Sequence, residues 1–276
     1  MPSLTQSPAD LKSLIKDMRV DIIRMIEEAG SGHPGGSLSI IDILAVLYTK
    51  FLRHDPKRPD WPDRDRVILS KGHACPALYT VMAYAGYFPK EQLMTLRKLG
   101  SPLQGHPDRL RLPGIELSTG SLGQGLSVAI GMALAGKLDK KDYRVYAILG
   151  DGELQEGQCW EAIMSAPKFD LDNLTVIVDH NNGQIDGPVH EIMNIEPIAE
   201  KFKDFHWDTR RIDGHNLAQI EKALSSVREV KAKPQVIVAD TVKGKGVSFM
   251  ENNIAWHGVA PKKDEADKAV SEIKNG

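Results

Sequence analysis

The sequence predicts an α/β fold, a parallel sheet flanked by helices. Short, continuous apolar runs rich in β-branched residues suit strands that are buried on both faces. These runs are 67–69, 145–149, 176–178 and 236–239. Helical periodicity fills the intervals between them, at 74–86, 122–137, 157–167 and 216–229. This alternation is typical of a parallel sheet wrapped by helices.

The chain is expected to begin with an amphipathic helix. Ser7-Pro8-Ala9-Asp10 has the pattern of a capping box with proline at the first helical position, and apolar residues then repeat at helical spacing to about Glu28. The glycine-rich turn 30–36 follows, and a second apolar helix is expected from about Ser39.

One large domain accounts for most of the chain. Residues 1–260 are expected to form it, and residues 261–276, which open on the charged run after Pro261, are expected to form a solvated charged tail. Neither repeats nor low-complexity tracts are present, so no second domain is predicted.

Composition argues for a small ligand. The 276 residues include 35 basic and 37 acidic side chains, so the chain lacks the basic field that attracts nucleic acid or anionic membranes. No apolar run approaches the length of about 18 residues that spans a bilayer, and the N-terminus lacks a signal-peptide pattern, so a cytoplasmic location is expected. Cys75 and Cys159 are too few and too far apart for a disulfide framework or a zinc site.

The strongest functional signal follows two neighbouring strands. Gly150-Asp151-Gly152-Glu153 ends the strand 145–149, and Asn181-Asn182 ends the next. Because carboxyl ends of parallel strands meet at one edge of a sheet, Asp151 and Asn181 are expected to lie together. A carboxylate, an amide oxygen and a main-chain carbonyl fill half of an octahedral Mg²⁺ shell and leave the rest for a diphosphate. The alternative is a purely structural Gly-Asp-Gly turn.

Four more motifs accompany this signal. They are Gly32-His33-Pro34-Gly35-Gly36-Ser37, Lys71-Gly72-His73-Ala74, Gly105-His106-Pro107 and Thr119-Gly120-Ser121-Leu122-Gly123-Gln124-Gly125. In this order and spacing the chain resembles the N-terminal domain of transketolases from its first helix to Trp256-His257-Gly258. The resemblance implies a thiamine-diphosphate-binding fold. It also implies transfer of a two-carbon ketol unit from a ketose phosphate to an aldose phosphate, with thiamine diphosphate and Mg²⁺, or another divalent cation such as Ca²⁺ or Mn²⁺.

The resemblance also implies a role for each matching residue. The metal ligands are Asp151, Asn181 and the main-chain oxygen of Gly183. The cofactor contacts are His73, Gly120, Ser121, Leu122, Gly152, Asn181 and His257, with Glu156 at the subunit contact beside them. The catalytic histidines are His33, His106 and His257. Histidine suits this chemistry because it donates and accepts protons near neutral pH.

Two positions depart from the family pattern. Ser121 stands where proline is frequent, and Gly183 stands where a larger apolar residue is more usual. The first change affects a side chain only. The second leaves the carbonyl ligand intact but removes apolar cover beside the metal.

The resemblance further implies a partner. Single-chain transketolases continue for more than this length again, through a pyrimidine-binding domain and a C-terminal domain, which provide the activating glutamate and most of the cations that hold the sugar phosphate. We therefore expect the partner to be a C-terminal transketolase subunit, in a two-plus-two hetero-oligomer around a homodimer core. A shortened form of a longer chain would give the same sequence.

Several alternatives remain at this stage. A split transketolase could act on a branched sugar phosphate, and a non-catalytic cofactor-binding subunit would be expected to lack ligands or histidines that are present here. The His-Pro pairs at 33 and 106 and the segment 119–125 disfavour the alpha chain of a 2-oxo acid dehydrogenase or a deoxyxylulose phosphate synthase. The glycine spacing at 120–125 also differs from a dinucleotide-binding fingerprint. The turn 243–246 is either a solvated loop or a flexible lid near the site.

Overall fold

The computed structural model describes residues 8–276. Its strands form one five-stranded sheet in the order β1-β2-β3-β5-β4, and every neighbouring pair is parallel. The strands are β1 (Arg66–Leu69), β2 (Val145–Gly150), β3 (Leu174–His180), β4 (Asp208–Asp213) and β5 (Gln235–Asp240). The predicted α/β fold with a parallel sheet is therefore confirmed.

Helices cover both faces of this sheet. They are α1 (Pro8–Ala29), α2 (Pro34–Val46), α3 (Cys75–Ala85), α4 (Gln124–Leu138), α5 (Gly157–Lys168), α6 (Val189–Ile192), α7 (Ile198–Asp204), α8 (Leu217–Ser226) and α9 (Lys263–Asn275). None of the helices within residues 8–276 is both long and apolar enough to cross a membrane.

The predicted helices are present, with shifts at their first residues. Helix α1 ends at Ala29, close to the predicted end, while the proposed capping residue Ser7 lies outside the described residues. Helix α2 begins at Pro34 rather than near Ser39. Proline is favourable there because the first turn of a helix does not use that residue's N–H.

The core lies in two apolar layers, one on each face of the sheet. Strand β2 divides its side chains between them: Tyr146 and Ile148 face the layer formed with α1, α2 and α3, whereas Val145, Ala147 and Leu149 face the layer formed with α4 and α5. All five are fully buried. Burial on both faces explains why the central strands are continuous apolar runs.

Two expectations about the fold need correction. Strand β4 is absent from the predicted strands; it lies at the edge of the sheet and carries Arg210 and Arg211, so it lacks the apolar run of a central strand. The segment expected to be a solvated tail instead forms α9, which packs against α1. Its buried residues repeat at helical spacing, and they are Ala266, Ala269, Val270 and Ile273. The charged residues of α9 occupy its outer face.

Candidate functional site

The sequence motifs converge at the carboxyl edge of the sheet. Lys71 follows β1, Asp151 follows β2, Asn181 follows β3 and Lys243 lies three residues beyond β5. In parallel sheets this edge is where ligands bind, because the strand ends open into loops there. The strand order places β2, β3 and β5 next to one another, which brings three of these loops together.

The three predicted metal ligands share one loop junction. Asp151 is 1% exposed, and its carboxylate accepts hydrogen bonds from the main-chain N–H of Gly152 at 2.8 Å and from that of Asn182. The side-chain oxygen of Asn181 accepts a hydrogen bond from the N–H of Gly183 at 3.1 Å. These bonds hold the carboxylate, the amide oxygen and the Gly183 peptide in one fixed arrangement.

Asp179, on β3, orients the side-chain amide of Asn181 through a hydrogen bond. It is fully buried and accepts hydrogen bonds from Asn181 Nδ2 at 2.9 Å, from Ser39 at 2.6 Å, and from Lys71 and Thr241. Burial alone would raise the pKa of Asp179, but the ammonium of Lys71 and the other donors outweigh it and lower the pKa below its usual range. Because the amide nitrogen of Asn181 faces this carboxylate, its oxygen faces the Gly183 loop.

Lys243 is a buried cation at the same junction, and it is missing from the residues predicted for the site. Its side chain is buried, and Nζ donates to the carbonyl oxygen of Gly183 at 3.0 Å. Burial, together with the charge of Lys71, lowers its pKa to about 8. The interpretation of this turn as a solvated loop is therefore wrong for Lys243. Its sequence context, Thr241-Val242-Lys243-Gly244, carries no signal of burial.

Among residues 8–276, no direct ion pair balances the charge of Asp151. Burial, and then the neighbouring charge of Asp179, raise its pKa to about 6. Within residues 8–276, no three histidine, cysteine or acidic side chains gather as a metal-binding group. The predicted ligand set contains only one such side chain, so a divalent cation there would also need oxygens from amides, carbonyls and a ligand.

Four histidines from separate motifs form a cluster beside this junction. The ring centroid of His33 lies 5.3 Å from that of His73, 6.2 Å from that of His106 and 5.6 Å from that of His257. The rings of His73 and His257 are 5.2 Å apart. The structure thus brings together every histidine predicted to serve the site.

The cluster contains ring nitrogens that have no protein partner. In the described part of the chain, Nδ1 of His33 and Nδ1 of His257 are buried and accept or donate no hydrogen bond. Burial, reinforced by nearby cations, lowers the pKa of His33 to about 4 and that of His257 to about 3. The pKa values of His73 and His106 are also lowered, mainly by burial. All four rings are therefore neutral near pH 7.

The segment 119–125 closes this side of the site. Thr119 donates to the carbonyl of Leu69 at 2.8 Å and lies so close to Gly72 that a β-carbon there would be 2.6 Å from its hydroxyl oxygen. Gly120 lies beside the ring of His106, at 3.5 Å from an added β-carbon. Glycine at these points allows the segment to reach the histidine loops.

The remaining predicted residues border the same region. Ser121 is exposed and Leu122 is half-buried, with its carbonyl accepting a hydrogen bond from Gln158 at 3.4 Å. Gly152 lies against Gln184. Glu156 is exposed at the first turn of α5, where its side chain caps no backbone N–H. An exposed position is compatible with the predicted subunit contact.

Cavity shape by itself does not indicate this site. A cavity of about 510 Å³ lies at the opposite, amino edge of the sheet, lined among others by Asp170, His206 and Lys233, which precede β3, β4 and β5. None of the predicted site residues lines it.

The residues at the carboxyl edge fit a metal and a diphosphate cofactor. Asp151 is a buried carboxylate with no direct ion pair among residues 8–276, and two buried ammonium groups lie close by. Buried nitrogens of His33 and His257 have no hydrogen-bond partner among the same residues. Such a donor set suits a doubly charged cation bridged to phosphate oxygens. A parallel sheet with this polar edge defines the chain as an α/β domain of the kind that binds a ligand across its strand ends.

The family follows from comparison with known proteins. The family described as transketolase, thiamine diphosphate binding domain matches residues 11–274. The chain therefore belongs to the transketolase family and represents its thiamine diphosphate binding domain, as the sequence motifs predicted.

Two curated relatives match along nearly their whole length. One is a 6-deoxy-6-sulfo-D-fructose transketolase subunit of Clostridium sp. strain MSTE9, which is 44% identical over 271 residues and covers 98% of each chain. The other is an apulose-4-phosphate transketolase subunit of Phocaeicola vulgatus, which is 40% identical over 255 residues, covering 92% of this chain and 90% of the relative.

A solved structure supports the same fold. The transketolase of Campylobacter jejuni superimposes with a TM-score of 0.92 at 34% identity, covering 98% of this chain and 43% of that one. The chain spans about two fifths of the length of the solved transketolases that it matches.

Proposed function

We propose that this chain is the thiamine-diphosphate-binding subunit of a split transketolase, which transfers a two-carbon ketol unit from a ketose to an aldose. The observation that carries the proposal is the convergence of His33, His73, His106 and His257 beside the Asp151 junction. Relatives named as transketolase subunits support the split organisation, since the chain matches them over 98% and 90% of their own lengths.

The junction is proposed to bind Mg²⁺ and the diphosphate. Asp151, Asn181 Oδ1 and the main-chain oxygen of Gly183 would be the protein ligands of the metal. The buried ammonium of Lys243, which donates to the Gly183 carbonyl, would supply positive charge for the diphosphate. Gly152 and the segment Gly120–Leu122 would contact the cofactor from the two sides.

The histidines are proposed to handle protons and orient the sugar. When bound, thiamine diphosphate supplies the nucleophilic carbon that carries the ketol unit. His33 and His257 are neutral, and their rings would exchange hydrogen bonds and protons with sugar hydroxyls. His106, exposed at the rim, would bind a substrate hydroxyl, and His73 would face the cofactor. Neutral rings suit this role because they can exchange a proton in either direction.

The site is proposed to be completed by a partner. A C-terminal transketolase subunit with pyrimidine-binding and C-terminal domains would supply the groups that activate the cofactor and bind the anionic end of the sugar. Exposed Glu156 would lie at a contact between subunits, within a two-plus-two assembly around a homodimer core. The names of the relatives support the existence of such a partner, because they describe subunits.

The donor sugar has more than one candidate. A pentulose phosphate is the first candidate. Two further candidates come from the relatives, one named for 6-deoxy-6-sulfo-D-fructose and the other for apulose 4-phosphate. The latter is the kind of branched sugar phosphate considered above. These sugars differ at the end away from the transferred carbons, which the partner subunit would contact.

The test is ketol transfer in a reconstituted mixture. The chain is assayed alone and with a C-terminal transketolase subunit, with Mg²⁺ and thiamine diphosphate, using xylulose 5-phosphate, 6-deoxy-6-sulfofructose or apulose 4-phosphate as donor and ribose 5-phosphate or glyceraldehyde 3-phosphate as acceptor. We expect activity only in the mixture. A mixture with the Asp151→Ala chain controls for activity of the partner alone. Absence of cofactor binding by the wild-type complex would contradict the proposal.

A further inference from the structure

Glu153 is a buried carboxylate that the proposed chemistry does not use. It lies on the short 3₁₀ turn Gly152–Gln155 and is only 2% exposed. Its side chain does not point toward the metal junction. It enters the protein between the end of β1, the segment 119–125 and the end of β2. A buried carboxylate needs several donors to offset the loss of water.

The donors of Glu153 come from each of these three places. Oε1 accepts hydrogen bonds from the hydroxyl of Ser70, directly after β1, and from the main-chain N–H of Gly123 at 2.9 Å. Oε2 accepts a hydrogen bond from the main-chain N–H of Gly150 at 3.2 Å. One side chain thus links both loops that are proposed to hold the cofactor.

Ser70 extends this link along the segment 119–125. Its oxygen accepts a hydrogen bond from the N–H of Gly125 at 3.1 Å while the hydroxyl donates to Glu153. A β-carbon on Gly125 would collide with Ser70, so the close approach requires glycine there. The pair therefore binds the segment at two amides, just after Gly120–Leu122.

The hydrogen bonds between the two cofactor loops involve side chains. Within residues 8–276, no backbone-to-backbone hydrogen bond runs between 119–125 and 150–153. Side chains instead provide hydrogen bonds to the segment 119–125 from this side: Glu153 accepts from Gly123, and Gln158 of α5 donates to the carbonyl of Leu122. Hydrogen bonds to a charged, buried acceptor are stronger than average, which suits a fixed spacing.

We propose that Glu153 is a positioning residue for the cofactor site: it fixes the spacing of the two loops that grip thiamine diphosphate, and Ser70 acts with it. This inference rests on the proposed function. It predicts that loss of the carboxylate weakens cofactor binding although no atom of Glu153 contacts the cofactor.

Two substitutions of Glu153 remove its hydrogen bonds to different extents. Glu153→Gln keeps one acceptor oxygen for Ser70 and Gly123 but turns an NH₂ group toward the Gly150 amide. Glu153→Ala removes all three acceptor contacts. Ile163→Ala, in the apolar layer beneath α5, is the matched control, because it creates a buried cavity but removes no hydrogen bond to either loop.

Two measurements are made on each folded chain well below its melting temperature. The first is amide hydrogen exchange in 119–125 and 150–153 without cofactor. The second is the affinity for thiamine diphosphate with Mg²⁺, followed by calorimetry in the presence of the partner subunit. We expect both segments to exchange faster in Glu153→Ala. We also expect its dissociation constant to rise by roughly tenfold or more, the factor that one lost buried hydrogen bond can supply. Glu153→Gln should fall between this variant and wild type.

The outcomes separate the inference from the function on which it rests. The comparison is made when Ile163→Ala has a melting temperature as low as that of Glu153→Ala. If Ile163→Ala then retains wild-type cofactor affinity and wild-type amide exchange in both loops, the effect of Glu153 is positional. If the Glu153 variants bind as tightly as wild type, or match the control, Glu153 is only structural and the inference fails while the proposed function stands. If the wild-type complex itself binds no thiamine diphosphate, both fail.

Discussion

The two halves of the candidate site are built differently. At the junction proposed to bind the metal, Asp151, Asn181 and the Gly183 peptide are fixed by hydrogen bonds to main-chain groups and by the buried Asp179 beside them. In the histidine cluster, the rings of His33 and His257 contact other rings, and their Nδ1 atoms have no protein partner within the described residues.

The difference matches the two proposed roles, metal binding at the junction and proton exchange in the histidine cluster. A metal site needs ligands held at set positions before binding, since its geometry is demanding. Groups that exchange protons with a ligand need free donor or acceptor positions. Substitutions at the junction should therefore affect stability and cofactor affinity, and substitutions in the cluster should affect turnover.

The largest effect is expected from Lys71→Met, which tests whether the junction depends on its buried charges. The change leaves Asp179 buried without its cation, and both side chains are almost fully inaccessible in the wild type. We expect the free energy of unfolding to fall by about 3–5 kcal/mol, measured by urea denaturation. Lys141→Met, which removes an exposed pair with Asp63, is the control and should change little. If both variants lowered the free energy of unfolding equally, the junction would not depend on its buried charges.

Asp151→Ala should give the next largest effect, on binding. Without this carboxylate, the charge of a metal and diphosphate is poorly compensated, so we expect thiamine diphosphate affinity in Mg²⁺ to fall by about 100-fold or more. Titration calorimetry measures this. Asp60→Ala, at an exposed aspartate away from the site, is the control. Undiminished affinity in Asp151→Ala would refute the metal assignment.

His33→Ala tests the other half of the comparison. Because Nδ1 of His33 has no hydrogen-bond partner among residues 8–276, we expect the subunits to assemble normally, with cofactor affinity close to wild type. The turnover number should fall by about 10- to 100-fold through loss of proton handling. Steady-state kinetics of the reconstituted complex measures it, with His206→Asn at the amino edge as control. Unchanged turnover would remove His33 from the catalytic residues.

The smallest effect is a pH dependence of stability. The pKa of His33 lies at about 4 and that of His257 at about 3 in the folded chain, against 6.5 for an unperturbed histidine. Below pH 6.5 the unfolded state therefore binds more protons, so these residues destabilise the fold as pH falls toward 4. Between pH 6 and 5 we expect each to cost about 1 kcal/mol. The variant His33→Gln/His257→Gln should lose less stability than wild type over this interval. If the free energy of unfolding fell equally with pH in the variant and in wild type, the two rings would not be held neutral in the fold.

Much of the fold and site can be predicted from local sequence. The central strands are continuous apolar runs, and the glycine-flanked Asp151 and the His-Pro turns lie in order at their ends. The expectation of a tail at α9 fails because it weighs the charges of this segment without its apolar spacing, although Ala266, Ala269, Val270 and Ile273 recur at helical intervals.

The buried charges cannot be predicted in this way. Asp179 and Lys243 become inaccessible only because β3, β5 and the loops of α2 and β1 pack around them. Glu153 is an ordinary residue of a turn until Gly123 and Gly150 are brought to its two oxygens. Each depends on contacts between residues distant in sequence, which neither periodicity nor a short motif records.

The edge strand β4 has a consequence for the chain when it is free of any partner. An open sheet edge exposes unpaired peptide groups and can add a strand from another molecule, which leads to aggregation. Here Arg210 pairs with Asp208, and Arg211 pairs with Asp240 of β5 at 2.9 Å. These charges would have to lose water and their ion pairs before a foreign strand could align. We therefore expect the charges of β4 to disfavour pairing of this edge with a strand of another molecule.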